Sequence, residues 1–248
     1  GYRLGNKSGS YSSKEGLKYL EKYATDLGLN KKSGIELDES SPQVSDETSV
    51  RSAIGQGRNS FTPSQISNYV TTLSNRGTVY NLSIMDKITD DNGKTIKKYG
   101  VKKVRQLHYD TKYWNAVQTG MRGVVNGNDS SVSSIFKGMK VKVAGKTGTA
   151  QKIPRADLKW GISFIGHAPA DDPKFAIYIV LDEPDGTTGT SGSTSDALIL
   201  AKDIMTELLP YMNVYKDTDE PYVDPGNAPE ESGVSDIPVS EPAATGSN

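Results

Sequence analysis

The chain has 248 residues, 34 % of them hydrophobic, with 29 basic against 30 acidic side chains and a net charge of −1. That length supports one large domain or two small ones with a sizeable core, and the balanced charge argues against a nucleic-acid binder, which would show a basic stripe. Cysteine is absent, which excludes disulfides and thiol chemistry and deprives the two histidines of partners for a zinc site. No apolar run approaches the length of a membrane span. The opening Gly1-Tyr2-Arg3-Leu4 has no initiator Met and reads as a piece of something longer.

Ser12-Ser13-Lys14-Glu15 has the form of a capping box. Leu17, Leu20, Ala24 and Leu27 follow at helical spacing and Gly28 is a stop, so a packing helix is predicted over 13–27. Residues 30–60 read as irregular, with a short strand at Gly34-Ile35-Glu36-Leu37 and a tight backbone passage at Gly55-Gln56-Gly57. Thr62-Pro63-Ser64-Gln65 is a second capping box with proline at the first helical position. Ile66, Val70 and Leu73 form the stripe of its helix, and Gly77 ends it.

Residues 79–89 and 95–104 read as the two strands of a hairpin turned at Asp90-Asp91-Asn92-Gly93. The acidic cluster does not fit a calcium loop: with Gly93 at the sixth place, the loop would start at Ile88 and end at Tyr99, neither a carboxylate. Asp110-Thr111 caps a further helix whose core face is Trp114, Val117, Met121, Val124 and Val125, closed by Gly127; residues 130–136 suggest another helical turn. Strands are predicted at 141–151, 160–168 and 174–183, the last two joined through Pro169-Ala170-Asp171-Asp172-Pro173 and therefore antiparallel. Residues 186–194 read as a flexible loop. Residues 195–212 form the strongest helix, with a broad apolar face, and 214–248 read as a disordered Pro/Ser/Glu-rich tail following a domain at 1–213.

The chemistry concentrates in Gly145-Lys146-Thr147-Gly148-Thr149-Ala150-Gln151. A lysine, two hydroxyls and a glycine on a strand edge offer positive charge, hydrogen-bond donors and close backbone approach to an extended anionic ligand. A phosphate loop would need glycine at position 140, which is Lys140, and a helix next, where the pattern is β. His167 ends a strand and is read as structural; no Gly-x-Ser-x-Gly elbow supports a serine triad.

Lys-Thr-Gly is used without histidine in the acyl transfer of penicillin-binding proteins and serine β-lactamases, beside a Ser-x-x-Lys and a Ser-Asp-Asn-type (Ser-x-Asn) triplet. The chain resembles that family, specifically the class B penicillin-binding proteins. The likeness runs through Leu20–Leu29 with Ser33–Leu37, Ile54-Gly55-Gln56-Gly57 with Phe61–Gln65, Gly120–Val125, Ala144–Gln151 and Phe164–Ala170. The two earlier motifs are read as missing. Tyr11-Ser12-Ser13-Lys14 has tyrosine where serine belongs, and Ser67-Asn68 and Ser74-Asn75 are adjacent pairs. The expectation is that the chain starts just after the second motif.

The resemblance implies an α/β (α+β) fold, an antiparallel sheet flanked by helices, incomplete at its N-terminal side. It implies a peptidoglycan D,D-transpeptidase, membrane-anchored and facing outward. Its ligands would be stem peptides and β-lactams; its partners, the upstream half of the same protein and the cell-wall synthesis machinery, with no cofactor and no metal. Lys146 and Thr149 take catalytic roles, with the Thr149 N–H in the oxyanion hole. Thr147, Gly148, Thr149 and Gln151 bind substrate. The alternatives are a β-lactam sensor or β-lactamase relative, or a non-catalytic wall-peptide binding module.

Overall fold

The helices begin where a side chain can satisfy the first free backbone N–H groups. The structure, a computed structural model, describes residues 11–127, 131–152, 156, 159–184 and 195–214. Helix α1 (Ser13–Asp26) is capped by the Ser12 hydroxyl, which accepts from the Glu15 N–H at 3.3 Å. After the single turn α2 (Ser49–Ser52), helix α3 (Pro63–Ser74) carries a complete capping box. The Gln65 N–H donates to Thr62 Oγ1 and the Gln65 side chain accepts from the Thr62 N–H at 3.0 Å.

The predicted hairpin forms as two separate ladders. Strand β1 (Thr78–Asn81) pairs with β4 (Lys102–Gln106), and β2 (Lys87–Thr89) pairs with β3 (Thr95–Lys98). The break has a tertiary cause. The Leu82 N–H donates to the Ser33 carbonyl at 2.8 Å, and Glu36 accepts from the Ser83 hydroxyl and the Ile84 N–H. Those groups are spent on the 33–36 segment and cannot continue the ladder. The strand expected at 34–37 is correspondingly absent, and Leu37 is exposed. At the turn, Asp90 Oδ1 accepts from the Asn92 and Lys94 N–H groups and Gly93 has φ 81°, a left-handed conformation that suits glycine.

Helix α4 (Thr111–Asn126) is capped by Asp110, whose Oδ1 accepts from the Lys112 N–H at 3.0 Å, and is followed by the short α5 (Ser131–Phe136). Strands β5 (Ala144–Gln151), β6 (Trp160–Ala168) and β7 (Phe175–Asp182) form one antiparallel sheet in that order, and α6 (Ser195–Tyr211) packs on it. Val141 and Val143, expected in β5, are buried but precede it. The expected loop at 186–194 and the expected tail lie outside the described residues, except Val214. Its N–H bonds the Leu209 carbonyl, and its side chain packs against the core.

Successive strand residues face opposite ways, so the sheet divides two cores. Phe164, Ala168 and Ile177 meet Phe136 and the α6 residues Ala197, Leu198, Ala201, Met205 and Leu209. On the other face Ala144 meets Leu73 of α3 and Trp114 and Met121 of α4. Each fully buried Phe, Leu or Met contributes about 1.5–3 kcal/mol of transfer free energy. The Phe164 ring lies across the cross-strand pair Gly145 and Gly166, where any side chain would collide with it, and tilts on Phe136 at 5.5 Å between centroids. Arg105 of β4 donates to the Thr25 and Asp26 carbonyls, placing a cation on the negative C-terminal end of α1.

Candidate active site

Strand β5 lies at the edge of its sheet, and among the described residues no strand covers its outer side. The direction of each backbone group follows from the ladder. The Lys152 N–H donates to the Lys159 carbonyl, and the Trp160 carbonyl is turned towards β7, accepting from Glu183. Hydrogen-bonded and non-hydrogen-bonded pairs alternate in an antiparallel ladder. Continuing the unbroken register back along β5, Ala150, Gly148 and Lys146 exchange bonds with β6, while Gln151, Thr149 and Thr147 turn their N–H and C=O groups outward. Thr147 and Thr149 thus present two N–H donors to the edge, two residues and about 7 Å apart.

The side chains add to that edge. Lys146 is exposed, and its Nζ bends back to donate to the outward-facing Thr147 carbonyl at 2.8 Å, with the Thr147 hydroxyl at 3.4 Å. No carboxylate pairs with it among the described residues, so its charge is available to a ligand. Thr147 and Thr149 share the α6 face of the strand, Thr147 half-buried and Thr149 exposed. Gly148 lies opposite Ser163, and a Cβ there would come within 2.5 Å of the Ser163 hydroxyl, which would have to rotate to admit it. Gln151 is half-buried at the strand's end. Just beyond it Lys152 is held between Glu183 at 2.7 Å and Asp182 at 3.0 Å. These partners raise the Lys152 pKa, Glu183 first, and Lys152 with Lys159 lowers that of Glu183.

Lys146, Thr147, Gly148, Thr149 and Gln151 therefore line one strand edge: a cation, two hydroxyls and outward backbone donors suited to an extended ligand carrying a carboxylate. His167 takes no part. It is fully buried opposite Ala144, its Nε2 lies 3.3 Å from the Ala170 carbonyl, and burial holds its imidazole below the usual range, hence neutral. His108 is exposed on a loop. No cluster of three metal-ligating side chains occurs among the described residues.

A Ser-x-x-Lys does occur, Ser134-Ile135-Phe136-Lys137, which the sequence reading passed over. The Phe136 ring inside it is buried against Phe164, so α5 packs on the α6 face of the sheet, whereas the Lys146 side chain leaves from the other. The structure does not bring Ser134 and Lys146 together.

The family model for the penicillin-binding protein transpeptidase domain matches residues 10–206. The chain belongs to the penicillin-binding protein transpeptidase family. Stage V sporulation protein D of Bacillus subtilis is 32 % identical, the match covering 80 % of this chain and 31 % of that protein. Peptidoglycan D,D-transpeptidase MrdA of Haemophilus influenzae is 28 % identical over 77 % of this chain and 32 % of its own length. Among solved structures, penicillin-binding protein 2B from Streptococcus pneumoniae superposes with a TM-score of 0.66 at 25 % identity, over 79 % of this chain and 33 % of that one. Penicillin-binding protein 3 from Mycobacterium tuberculosis, complexed with ampicillin, gives 0.64 at 25 % identity, over 81 % of this chain and 47 % of that one. The expected mixed fold with an antiparallel sheet is therefore the family's. The chain spans about a third of the length of these two curated relatives.

Sequence reasoning did not see Ser163 beneath Gly148, nor the outward turn of the Thr147 carbonyl that receives Lys146. Strand alternation carried a signal for the second, since alternate residues of an edge strand must point outward.

Proposed function

We propose that this chain carries the substrate-carboxylate and oxyanion side of a peptidoglycan D,D-transpeptidase active site, and that the acylated serine, its lysine and the Ser-x-Asn motif are supplied from outside these 248 residues. The observation that carries the reading is the open β5 edge, where Lys146, the threonine hydroxyls and the outward N–H groups converge. The serine oxygen bonds to the carbonyl carbon of the penultimate D-Ala of a stem peptide. The terminal D-Ala leaves with a proton, and an acceptor amine then displaces the serine to form the cross-link. A β-lactam ring opens on the same serine and leaves it acylated.

In this reading Lys146 provides positive charge to the substrate carboxylate and the proton network, with the Thr147 and Thr149 hydroxyls as the carboxylate's hydrogen-bond donors. The outward Thr149 N–H supplies half of the oxyanion hole, a donor of a kind whose loss costs about 2.7–4 kcal/mol in the transition state. Gly148 admits the substrate backbone and Gln151 contacts its far end. The ampicillin complex of the M. tuberculosis neighbour supports the β-lactam part. The whole protein works outside the cytoplasm, anchored in the membrane beside other cell-wall synthesis proteins; no described helix is long and apolar enough to cross a membrane.

The test is β-lactam acylation of the complete protein followed by intact mass and peptide mapping. Lys146→Ala slows acylation about 10- to 100-fold, the loss of one charge-assisted contact. An unchanged rate refutes the role of Lys146. Drug mass on a serine of this chain refutes the external nucleophile.

A further inference from the structure

On the face of the sheet opposite the Lys146 side chain, a groove of about 380 Å³ runs between the α5–β5 connection and the C-terminal half of α6. Its apolar surface is offered by Met139, Pro210 and Val214 above the buried Met205 and Leu209, and its rim carries Lys137, Lys140 and Lys202. No carboxylate lines it, and among the described residues none of these three lysines makes an ion pair. A row of ammonium groups over an apolar surface is matched by a peptide that carries several carboxylates beside apolar side chains.

Such a peptide begins at the groove itself. Val214, the last described residue, is one of the groove's lining residues. The chain continues for Tyr215 to Asn248, and its nearest part is Asp217-Thr218-Asp219-Glu220-Pro221-Tyr222-Val223-Asp224. After Val214 the only basic residue is Lys216. Three to ten residues of extended chain span up to roughly 10–36 Å, ample to return to the groove, and Pro221 with Pro225 disfavours a helix that would carry the segment away.

We propose that the groove seats this chain's own residues 217–224. Tyr222 and Val223 lie on Met139 and Pro210. The carboxylates of Asp217, Asp219, Glu220 and Asp224 stand among the ammonium groups of Lys137, Lys140 and Lys202. A short tether gives the segment an effective concentration in the millimolar range, so a contact too weak to hold a free peptide is occupied in the chain. The inference rests on the groove and the sequence beyond Val214, and stands apart from the transpeptidase reading.

Carbodiimide, which condenses a carboxylate with an ammonium group in contact with it and releases the activated oxygen as a urea, is applied to the full chain, and linked peptides are mapped by mass spectrometry. Links from Lys137, Lys140 or Lys202 to the 217–224 carboxylates are expected in the monomer. Their yield should be unchanged on dilution, about tenfold above links from the exposed hairpin lysines Lys94, Lys97 and Lys98, and lost at about 1 M salt, where the Debye length is near 3 Å. The triple variant K137E/K140E/K202E loses the links, and combining it with D217K/D219K/E220K restores them with the charges exchanged. Absence of links, an even spread over surface lysines, links only in dimers (a second copy's tail as occupant), or no restoration in the combined variant overturns the proposal.

Discussion

Replacing Gly145 by alanine tests how the core positions the motif strand. A Cβ at Gly145 falls inside the van der Waals envelope of the Phe164 ring and lies 2.6 Å from the Ile165 carbonyl oxygen. The ring is fully buried between Phe136 and the sheet, and the carbonyl belongs to the β5–β6 ladder. Neither can retreat without opening packing or hydrogen bonds, so the cost is at the upper end of the overpacking range, about 3 kcal/mol. For about 200 folded residues this lowers the Tm by about 6–12 °C. Gly148→Ala is the internal control. There the obstacle is the Ser163 hydroxyl, a single rotatable atom; rotation relieves it, and the stiffer unfolded chain returns about 0.4–1 kcal/mol, leaving the Tm within about 3 °C of the parent. Thermal unfolding of both variants by calorimetry, with Phe164→Leu completing a double-mutant cycle on Gly145→Ala, measures the collision directly. A positive coupling of at least about 0.5 kcal/mol is expected from the smaller side chain. Equal losses for the two glycine variants, or strict additivity with Phe164→Leu, refute the reasoning.

Thr62→Ala removes both the α3 cap and a hydroxyl that donates to Glu39 Oε1 at 2.8 Å; a loss of about 1–2 kcal/mol is expected in denaturant unfolding, and a change below about 0.3 kcal/mol contradicts the capping account. Burial lowers the His167 pKa from its ordinary 6.5, so the unfolded chain binds a proton that the folded one refuses. Stability therefore falls as the pH drops below about 6.5, by at most about 1.4 kcal/mol per pH unit, and His167→Gln flattens that slope; identical slopes refute it. At Asp26 burial raises the pKa, but the Lys22 and Tyr109 hydrogen bonds outweigh it and the net shift is downward from 3.8. Asp26→Asn should thus lose about 1–2 kcal/mol at neutral pH. That deficit closes as the pH falls through the lowered value of the folded carboxyl, and a deficit constant down to pH ~2 excludes the linkage.

The parts of the fold legible in the sequence are those decided within a few residues. Ser12, Thr62 and Asp110 cap helices because a short side chain and the next backbone N–H groups suffice, and β5, β6 and β7 show in their β-rich patterns. The hairpin failed where distant partners intervened: Ser33 and Glu36 take the hydrogen bonds of Leu82, Ser83 and Ile84 across nearly fifty positions, which no local pattern encodes. The Arg105 contact with the end of α1 was invisible for the same reason. At the candidate site the residue types were legible, because Lys-Thr-Gly is a contiguous string. Which groups face outward depends on the ladder with β6, and that became known only with the register.

The Phe164 ring across Gly145 and Gly166 has a consequence for the phase of the motif. A slip of β5 by one residue would bring Ala144 or Lys146 beneath the ring and exchange the inward and outward backbone groups of the whole strand. The ring lies in the vacancy made by two glycines facing each other. An aromatic side chain eighteen positions downstream of Lys146 thus acts as an index pin: it opposes a one-residue slip and holds the alignment in which Thr147 and Thr149 keep their outward donors. The motif's chemistry is written in contiguous residues, but its alignment is kept by a residue outside it.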